Sequence, residues 1–467
     1  MENMTLKRAA ELCGGKLSAS ASEDVELRNI VIDSRAVMRG DLFAAYRGEK
    51  TDGHHYIRSA FERGAACCLA EYVPEGVTKP VIVVPDVQRA LEKLAKAYRE
   101  GFSLPLVGIT GSVGKTTAKE MISSVLAQRF RTLKTEGNLN NQIGVPMMLS
   151  RLNSTYQAAV IELGISGFGE MSLLADIAKP TMAVFTVIGH AHLEFLHDLD
   201  GVLRAKTEML DYLPDDAAVI VNGDDDKLRN LQCRQRKITF GLNPENDIYA
   251  EAVKTEGNSI TCKIVCGNRQ IPVRIPTFGH HHVYAALAAA AVGLQFDLTD
   301  EEIAEGISGF QNVGRRGELF QTPFVTLIDD SYNANPDSVK SGIDSLMQQA
   351  GRRHICILGD MLELGGSSGV MHEEVGRYAR EKGADYVLCS GTFAEYTARG
   401  AEECGQIFES REALIHSIPS LLREGDCVLV KASKSSHYET VAQAVRELAK
   451  QKETFCGVTS GENPDEC

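Results

Sequence analysis

A run of apolar residues from Leu104 to Thr110 opens into Gly111-Ser112-Val113-Gly114-Lys115-Thr116-Thr117, and an amphipathic helical pattern follows at once. A strand that feeds a glycine turn and then a helix start is a physical device for holding phosphate. Glycines let backbone N–H groups converge on the oxygens, and the helix N-terminus adds partial positive charge. Lys115 is positioned to reach the β- and γ-phosphates of a nucleotide, and the Thr116 hydroxyl to ligate Mg²⁺. The strict phosphate-loop spacing places a glycine five residues before Gly114, where this chain has Ile109. The loop is therefore a variant in which Gly111 makes the turn. It predicts nucleotide binding.

At 467 residues the chain has room for roughly three domains. Its 43% hydrophobic and 24% charged content is that of an ordinary globular protein, neither disordered nor membrane-embedded. A formal charge of −14 excludes a general nucleic-acid surface, which needs a basic face. Twelve cysteines are scattered with no pair at C-x-x-C spacing, as expected of small buried hydrophobes in a reducing compartment. Met1 to Gly15 reads as a mixed polar helix rather than a signal peptide. The longest apolar stretch, Val283 to Leu294, is too short to span a bilayer. The expectation is a cytoplasmic protein with no membrane insertion.

Three units follow from the patterning, and the fold class is α/β throughout. In residues 1–100, short β-like runs (Leu27 to Ile32, Asp41 to Tyr46, Val81 to Val84) alternate with helical ones. Residues 101–313 repeat strand and helix around buried runs at Ala158 to Leu163, Met182 to Ile188 and Ala217 to Val221. Alternating strands and an alanine-rich helix from Tyr284 to Leu294 close that unit. Residues 314–455 carry strand candidates at Val325 to Asp329, His354 to Gly359, Tyr386 to Ser390 and Cys427 to Lys431. This layout is doubly wound and Rossmann-like, with ligands outside the strands' carboxyl ends. Periodicity is lost beyond Lys450, so residues 456–467 are expected to be a disordered tail.

Chemistry-bearing residues cluster just after the predicted strands. Thr135 to Gly144, with Asn138, Asn140 and Asn141, is dense in amides that suit sugar and phosphate oxygens, although an Asx-rich turn has the same composition. Glu162 ends a buried strand, where a carboxylate needs a partner or a metal. His192 follows the next strand. Lys206 sits on a helical pattern, where a solvated surface lysine is the ordinary reading. Asp329-Asp330-Ser331-Tyr332-Asn333-Ala334-Asn335-Pro336 follows a strand directly. Asn335 suits an N-cap there and Pro336 the first helical position. Leu358 to Gly365 is again a strand end turning into a polar loop.

In this order the phosphate loop, amide-rich run, Glu162, His192, Lys206, Asp329 to Pro336 and Leu358 to Gly365 resemble the Mur ligases, which build the peptide of bacterial cell-wall precursors with ATP. The likeness extends over residues 5–450. Asp-Asp-Ser-Tyr-Asn-Ala-Asn-Pro and Gly-Asp-Met-x-Glu-Leu-Gly resemble the branch that adds D-alanyl-D-alanine to the UDP-N-acetylmuramoyl-tripeptide. Asp33-Ser34-Arg35, Gly40 to Phe43 and Asp52-Gly53-His54 resemble that branch's UDP-sugar-binding domain. The resemblance implies a three-domain α/β fold: a small UDP-binding domain, a central ATPase domain and a C-terminal ligase domain. It implies an ATP-dependent ligase that acts through an acyl phosphate, uses two Mg²⁺ ions and works as a monomer.

The resemblance also distributes roles. Lys115, His192 and Lys206 are catalytic, and Lys206 matches a lysine that becomes carbamylated. Thr116, Glu162, His192 and Lys206 match the metal site. Gly111 to Thr117 with Arg316 and Asp330 match the nucleotide contacts, Arg315 being an alternative to Arg316. Ser34, Arg35, Asn138, Asn333 and Asn335 match the substrate contacts. Two departures stand out. Ala285 occupies the place of an asparagine that contacts adenine in the family, and Lys431-Ala432-Ser433-Lys434 replaces Lys-Gly-Ser-Arg. Three other readings stand beside this one. They are another Mur-type or folylpolyglutamate ligase, a regulatory phosphate-loop ATPase or GTPase, and a paralogue that binds the precursor without ligating.

Overall fold

A computed structural model of the chain describes residues 1–18, 24–48, 51–312 and 314–459. Its strands form three sheets. The first has five strands in the order Lys16–Leu17, Val81–Val83, Cys67–Ala70, Leu42–Ala44 and Ile30–Val31, parallel except for the first pair. The mixed α/β architecture expected from the sequence is present in all three.

The central sheet has nine strands. Leu106–Thr110 is an interior strand, third from one edge, paired in parallel with Ala158–Glu162 on one side and Met182–Phe185 on the other. The chain winds outward to Thr132–Lys134 on the first side, then back across to Ala218–Asn222 and Arg236–Gly241 on the second. The direction of winding reverses at Leu106–Thr110, and a crevice opens at the carboxyl ends of strands at such a point. Both faces of this strand are covered, and Leu106, Val107 and Ile109 are fully buried. An antiparallel extension, Ile248–Glu256, Ser259–Cys266 and Arg269–Ile275, completes the sheet.

The helix after the glycine turn runs Lys115–Leu126. Met121, Ile122, Val125 and Leu126, the face read from the sequence, are all fully buried. Each such side chain contributes about 1.5–3 kcal/mol by leaving water. This helix meets the alanine-rich helix His281–Gln295 and the helix Asp300–Ser308 at close range. A Cβ on Gly306 would lie 2.4 Å from the Val125 Cα, so only glycine admits that approach.

The third sheet orders Glu318–Gln321, Val325–Asp329, Asp426–Lys431, Arg353–Leu358, Tyr386–Cys389 and Gly405–Ile407, parallel apart from its first strand. The last helix runs Glu439–Thr459, further than the loss of periodicity after Lys450 predicted. Of the expected tail, residues 460–467 lie outside the described residues, as does Val313 at the expected second boundary. Short strands such as Cys67–Ala70 and Thr132–Lys134 escaped the sequence reading. The first has no β-branched residue, and the second is three residues long.

Candidate active site

The glycine turn is held from below by the neighbouring strand end. Ser112 N donates to Val187 O at 2.8 Å, and Thr186 Oγ1 donates to Val113 O at 2.6 Å. Gly111 has φ +151°, and a Cβ there would fall 1.9 Å from Thr186 Oγ1. Gly114, at φ 83°, is the N-cap of the helix. The free N–H groups of that first turn therefore face the cleft, as an anion site requires.

The cleft has a volume of about 500 Å³. The phosphate loop from Ser112 to Thr117, Asn138, Glu162 and His192 line it from the central unit, and Arg316, Asp330, Asn333 and Asn335 from the third. The phosphate loop and the five strand-end clusters read from the sequence thus meet in one place, the last of them through Glu363. Glu162 is buried, and its carboxylate is held by neutral donors. Thr116 Oγ1 donates to Oε2 at 2.9 Å, and Asn140 Nδ2 to Oε1 at 2.7 Å. Thr135 Oγ1 accepts from the Glu162 N–H at 2.9 Å. A buried carboxylate without a bonded cation keeps charge available for one.

Lys115 Nζ donates to Gly111 O at 2.7 Å. Burial pushes its pKa below the usual lysine range, and Arg316 adds to that while Glu162 opposes it. Lys206, in the helix Leu199–Thr207, is 1% exposed, so the surface-lysine reading is wrong. It is not part of the cleft lining. Burial, then the charge of Lys115, push its pKa well below the usual range, and no carboxylate pairs with it among the described residues. His192 sits in the left-handed region at φ 57°, with Nδ1 2.5 Å from Glu363 Oε2 of the third unit.

From the third unit, Arg316 stacks on Tyr332, its guanidinium carbon 3.9 Å from the ring centroid. Arg315 instead approaches Glu439 at 3.7 Å and does not line the cleft, whereas Arg316 does. Asn335 caps the helix Pro336–Met347, its Oδ1 accepting from Ser338 N at 2.8 Å. Sequence reasoning named Lys431 as a strand end and as the first residue of Lys431-Ala432-Ser433-Lys434, and gave it no role. It is 2% exposed at the end of its strand, ion-paired with Asp330 and bonded to Asn333 O at 3.0 Å. Its signal was its position, since it ends a strand as Glu162 does. Tyr332, Glu363, His281 and His282 also line the cleft and were given no role. His282 is 1% exposed, and its Nε2 is buried without a partner.

A second cavity of about 360 Å³ adjoins the phosphate loop, with Val113, Phe240, Tyr284, Ala285 and Ala288 in its largely apolar wall. Ser34 and Arg35 lie elsewhere, on the short helix Ser34–Ala36 of the first unit, where Arg35 pairs with Asp33 at 2.8 Å. Neither lines the cleft.

Among the described residues no group of three or more His, Cys, Asp and Glu side chains forms a metal cage. The donors present still suit Mg²⁺, which is held by one or two carboxylates together with substrate phosphates rather than by an all-protein cage. The Glu162 carboxylate beside the Thr116 hydroxyl, next to a phosphate loop, is such a set.

Family models match the three units in turn. The Mur ligase family catalytic domain matches residues 26–99, the Mur ligase middle domain 109–293, and the Mur ligase glutamate ligase domain 315–434. The chain belongs to the Mur ligase family. This Mur ligase is 34% identical over 461 residues to the UDP-N-acetylmuramoyl-tripeptide–D-alanyl-D-alanine ligase of Bacillus subtilis, covering 96% of this chain and 99% of that protein. Among solved structures it resembles MurF from Acinetobacter baumannii, with TM-score 0.88, 31% identity, and 96% and 99% of the two chains covered. It also resembles the MurF ligase from Thermotoga maritima in complex with ADP, with TM-score 0.82, 26% identity, and 92% and 99% covered.

Proposed function

We propose that this Mur ligase joins D-alanyl-D-alanine to the UDP-N-acetylmuramoyl-tripeptide at the expense of ATP, in peptidoglycan precursor synthesis. The observation that carries the reading is the convergence of Lys115, Glu162, Arg316, Asp330, Asn333 and Asn335 from two units on one cleft. Relatives of that name match over nearly the whole chain.

A carboxylate is a poor electrophile, so the reaction needs a leaving group. A peptide carboxylate oxygen attacks the γ-phosphorus, the bond to the β-phosphate oxygen breaks, and ADP leaves. The amine nitrogen of the dipeptide then attacks the acyl carbon, expels phosphate and loses its proton. Two anions meet in the first step. Lys115 and the helix N-terminus hold the triphosphate charge, and Arg316 and Lys431 add positive field from the third unit. Thr116 and Glu162 would hold one Mg²⁺, and His192 with a carbamylated Lys206 would hold a second. When bound, the ions neutralise charge on the transferring phosphoryl group.

Carbamylation of Lys206 is part of the proposal. Burial without a carboxylate partner among the described residues favours the neutral amine; its nitrogen can bond to the carbon of CO₂ and release a proton, leaving an anionic oxygen donor. Adenine occupies the apolar cavity beside Ala285, held by shape rather than by the family's asparagine. Asn138, Asn333 and Asn335 face the peptide and dipeptide, while Ser34 and Arg35 face the uridine nucleotide in a first domain ending near residue 100. One chain supplies every group, which supports a monomer. In the cytoplasm, ATP is at hand and the cysteines stay reduced. Among the described residues no helix is long and apolar enough to cross a membrane.

The test is ATP consumption with the UDP-tripeptide, with and without D-alanyl-D-alanine. Consumption coupled to the dipeptide supports the reading. Hydrolysis indifferent to both substrates would overturn it.

A further inference from the structure

The segment 187–192 runs between the phosphate loop and the third unit, bonded to both. Ser112 Oγ donates to Gly189 O at 3.0 Å and accepts from Gly189 N at 3.0 Å. One residue on, His190 N donates to Asp337 Oδ2 at 2.6 Å, with His190 Nδ1 3.2 Å from the same oxygen. Asp337 belongs to the first turn of Pro336–Met347, the helix capped by Asn335 in the cleft wall. Its carboxylate gains from the helix dipole and makes a charge-assisted bond to a backbone N–H of the other unit. The approach is close because residue 189 lacks a side chain. A Cβ there would sit 2.4 Å from Asp337 Oδ2.

We infer that Asp337 is a positioning residue, through which a phosphate loop in its nucleotide-bound state fixes the third unit over the cleft. The inference rests on the ATP-dependent reading above. Asp337 also lines the cavity assigned to adenine, so compaction, and not the KM for ATP alone, reads the link. It reports the placement of Ser112, through Gly189 and His190, to the helix that carries Asn335 and follows Asp330 and Asn333. Occupancy of the loop and closure of the third unit then share one mechanical link, and weakening it penalises nucleotide binding in the closed form.

The experiment compares the full-length wild type with Asp337→Ser, Gly189→Ala, their combination and Asp337→Asn. It measures the KM for ATP, kcat, melting temperature, and the radius of gyration by X-ray scattering with a non-hydrolysable ATP analogue. Asp337→Ser is expected to melt like wild type, raise the KM for ATP about tenfold or more, and stay more expanded with the analogue bound. Gly189→Ala, which wedges a methyl against the carboxylate, moves the same readouts in the same direction. The double variant is expected to be no worse than the worse single one, since both act on one contact. Asp337→Asn keeps the shape and one acceptor, and is expected to recover part of the loss. If Asp337→Ser matches wild type in KM and compaction, or if the two single effects simply add, the link is refuted. A wild type that compacts with the analogue through Asp337 but does not ligate would retain the link and remove the proposed reaction.

Discussion

Thr116 Oγ1 donates to Glu162 Oε2 across 2.9 Å, tying the first helical turn after the glycine loop to the end of the adjacent parallel strand. The bond sets a hydroxyl and a carboxylate side by side without consuming the charge. Glu162→Gln keeps the size and an acceptor for Thr116 but removes that charge. Ligation is expected to fall about 100-fold or more, as when a charge-stabilising group is lost from a preorganised site. The melting temperature should move little, and the Mg²⁺ concentration for half-maximal rate should rise in a titration of initial rates.

Lys115→Ala is expected to cost turnover far more than folding. Burial disfavours the ammonium, with Glu162 opposing and Arg316 adding to that, and its hydrogen bond is to the nearby Gly111 O, so the melting temperature is expected to move little. Loss of a positive contact to the transferring group costs on the order of 10²–10³ in kcat. Calorimetry alongside steady-state rates will separate the two. An early-melting variant, or near-normal turnover, would contradict the assignment.

His282 gives an acid-side signature. Burial holds its pKa well below 6.5, whereas an unfolded histidine titrates near that value. Below pH 6.5 the unfolded chain takes up a proton that the native chain refuses, so this residue's contribution is present above that pH and is lost as pH falls. His282→Gln should flatten the decline in melting temperature between about pH 6.5 and 5. Parallel slopes for the two proteins would show that His282 does not control it.

Lys206 predicts a dependence on dissolved CO₂. Protein supplied with ¹³C-bicarbonate should show a carbamate carbon resonance that disappears in Lys206→Arg. Degassed enzyme should regain rate when bicarbonate is added. No resonance and no bicarbonate response would leave Lys206 as a buried amine and nothing more.

The cavity beside Ala285 predicts weak choice of base. Apolar walls separate similar ligands by only about 10–200-fold, whereas a dedicated hydrogen-bonding edge reaches 10⁴ or more. GTP should therefore support ligation within about 200-fold of ATP in kcat/KM. A far larger gap would mean that a polar group in the wall reads the base.

Legibility followed periodicity and position. The strand Leu106–Thr110 and the face of Lys115–Leu126 were readable because buried parallel strands and amphipathic helices leave strong signals. Glu162, Asp330 and Asn335 were readable as candidates because each lies at or just past the end of a strand that the pattern located. Lys206 was not readable from pattern alone: burial of its side chain depends on elements far away in the chain, and a helical lysine carries no mark of that. Lys431 was legible as part of a motif but not as a partner of Asp330, which lies 101 positions away in the chain. The Asp337 contact joins residues 147 positions apart, a separation at which local pattern is silent.

The alanine-rich helix packs through methyl groups. Ala286 and Ala288 to Ala291 are fully buried, and Gly293 and Gly306 both face Val125 of the phosphate-loop helix. Backbones held this close have no long side chains to absorb a change. An ethyl group added deep in that seam should act as a shim, tilting the rod and displacing its far end, where His281 and His282 stand. Seam residues that line neither cavity, such as Ala286 and Ala289 to Ala291, are therefore as tightly constrained as those that do.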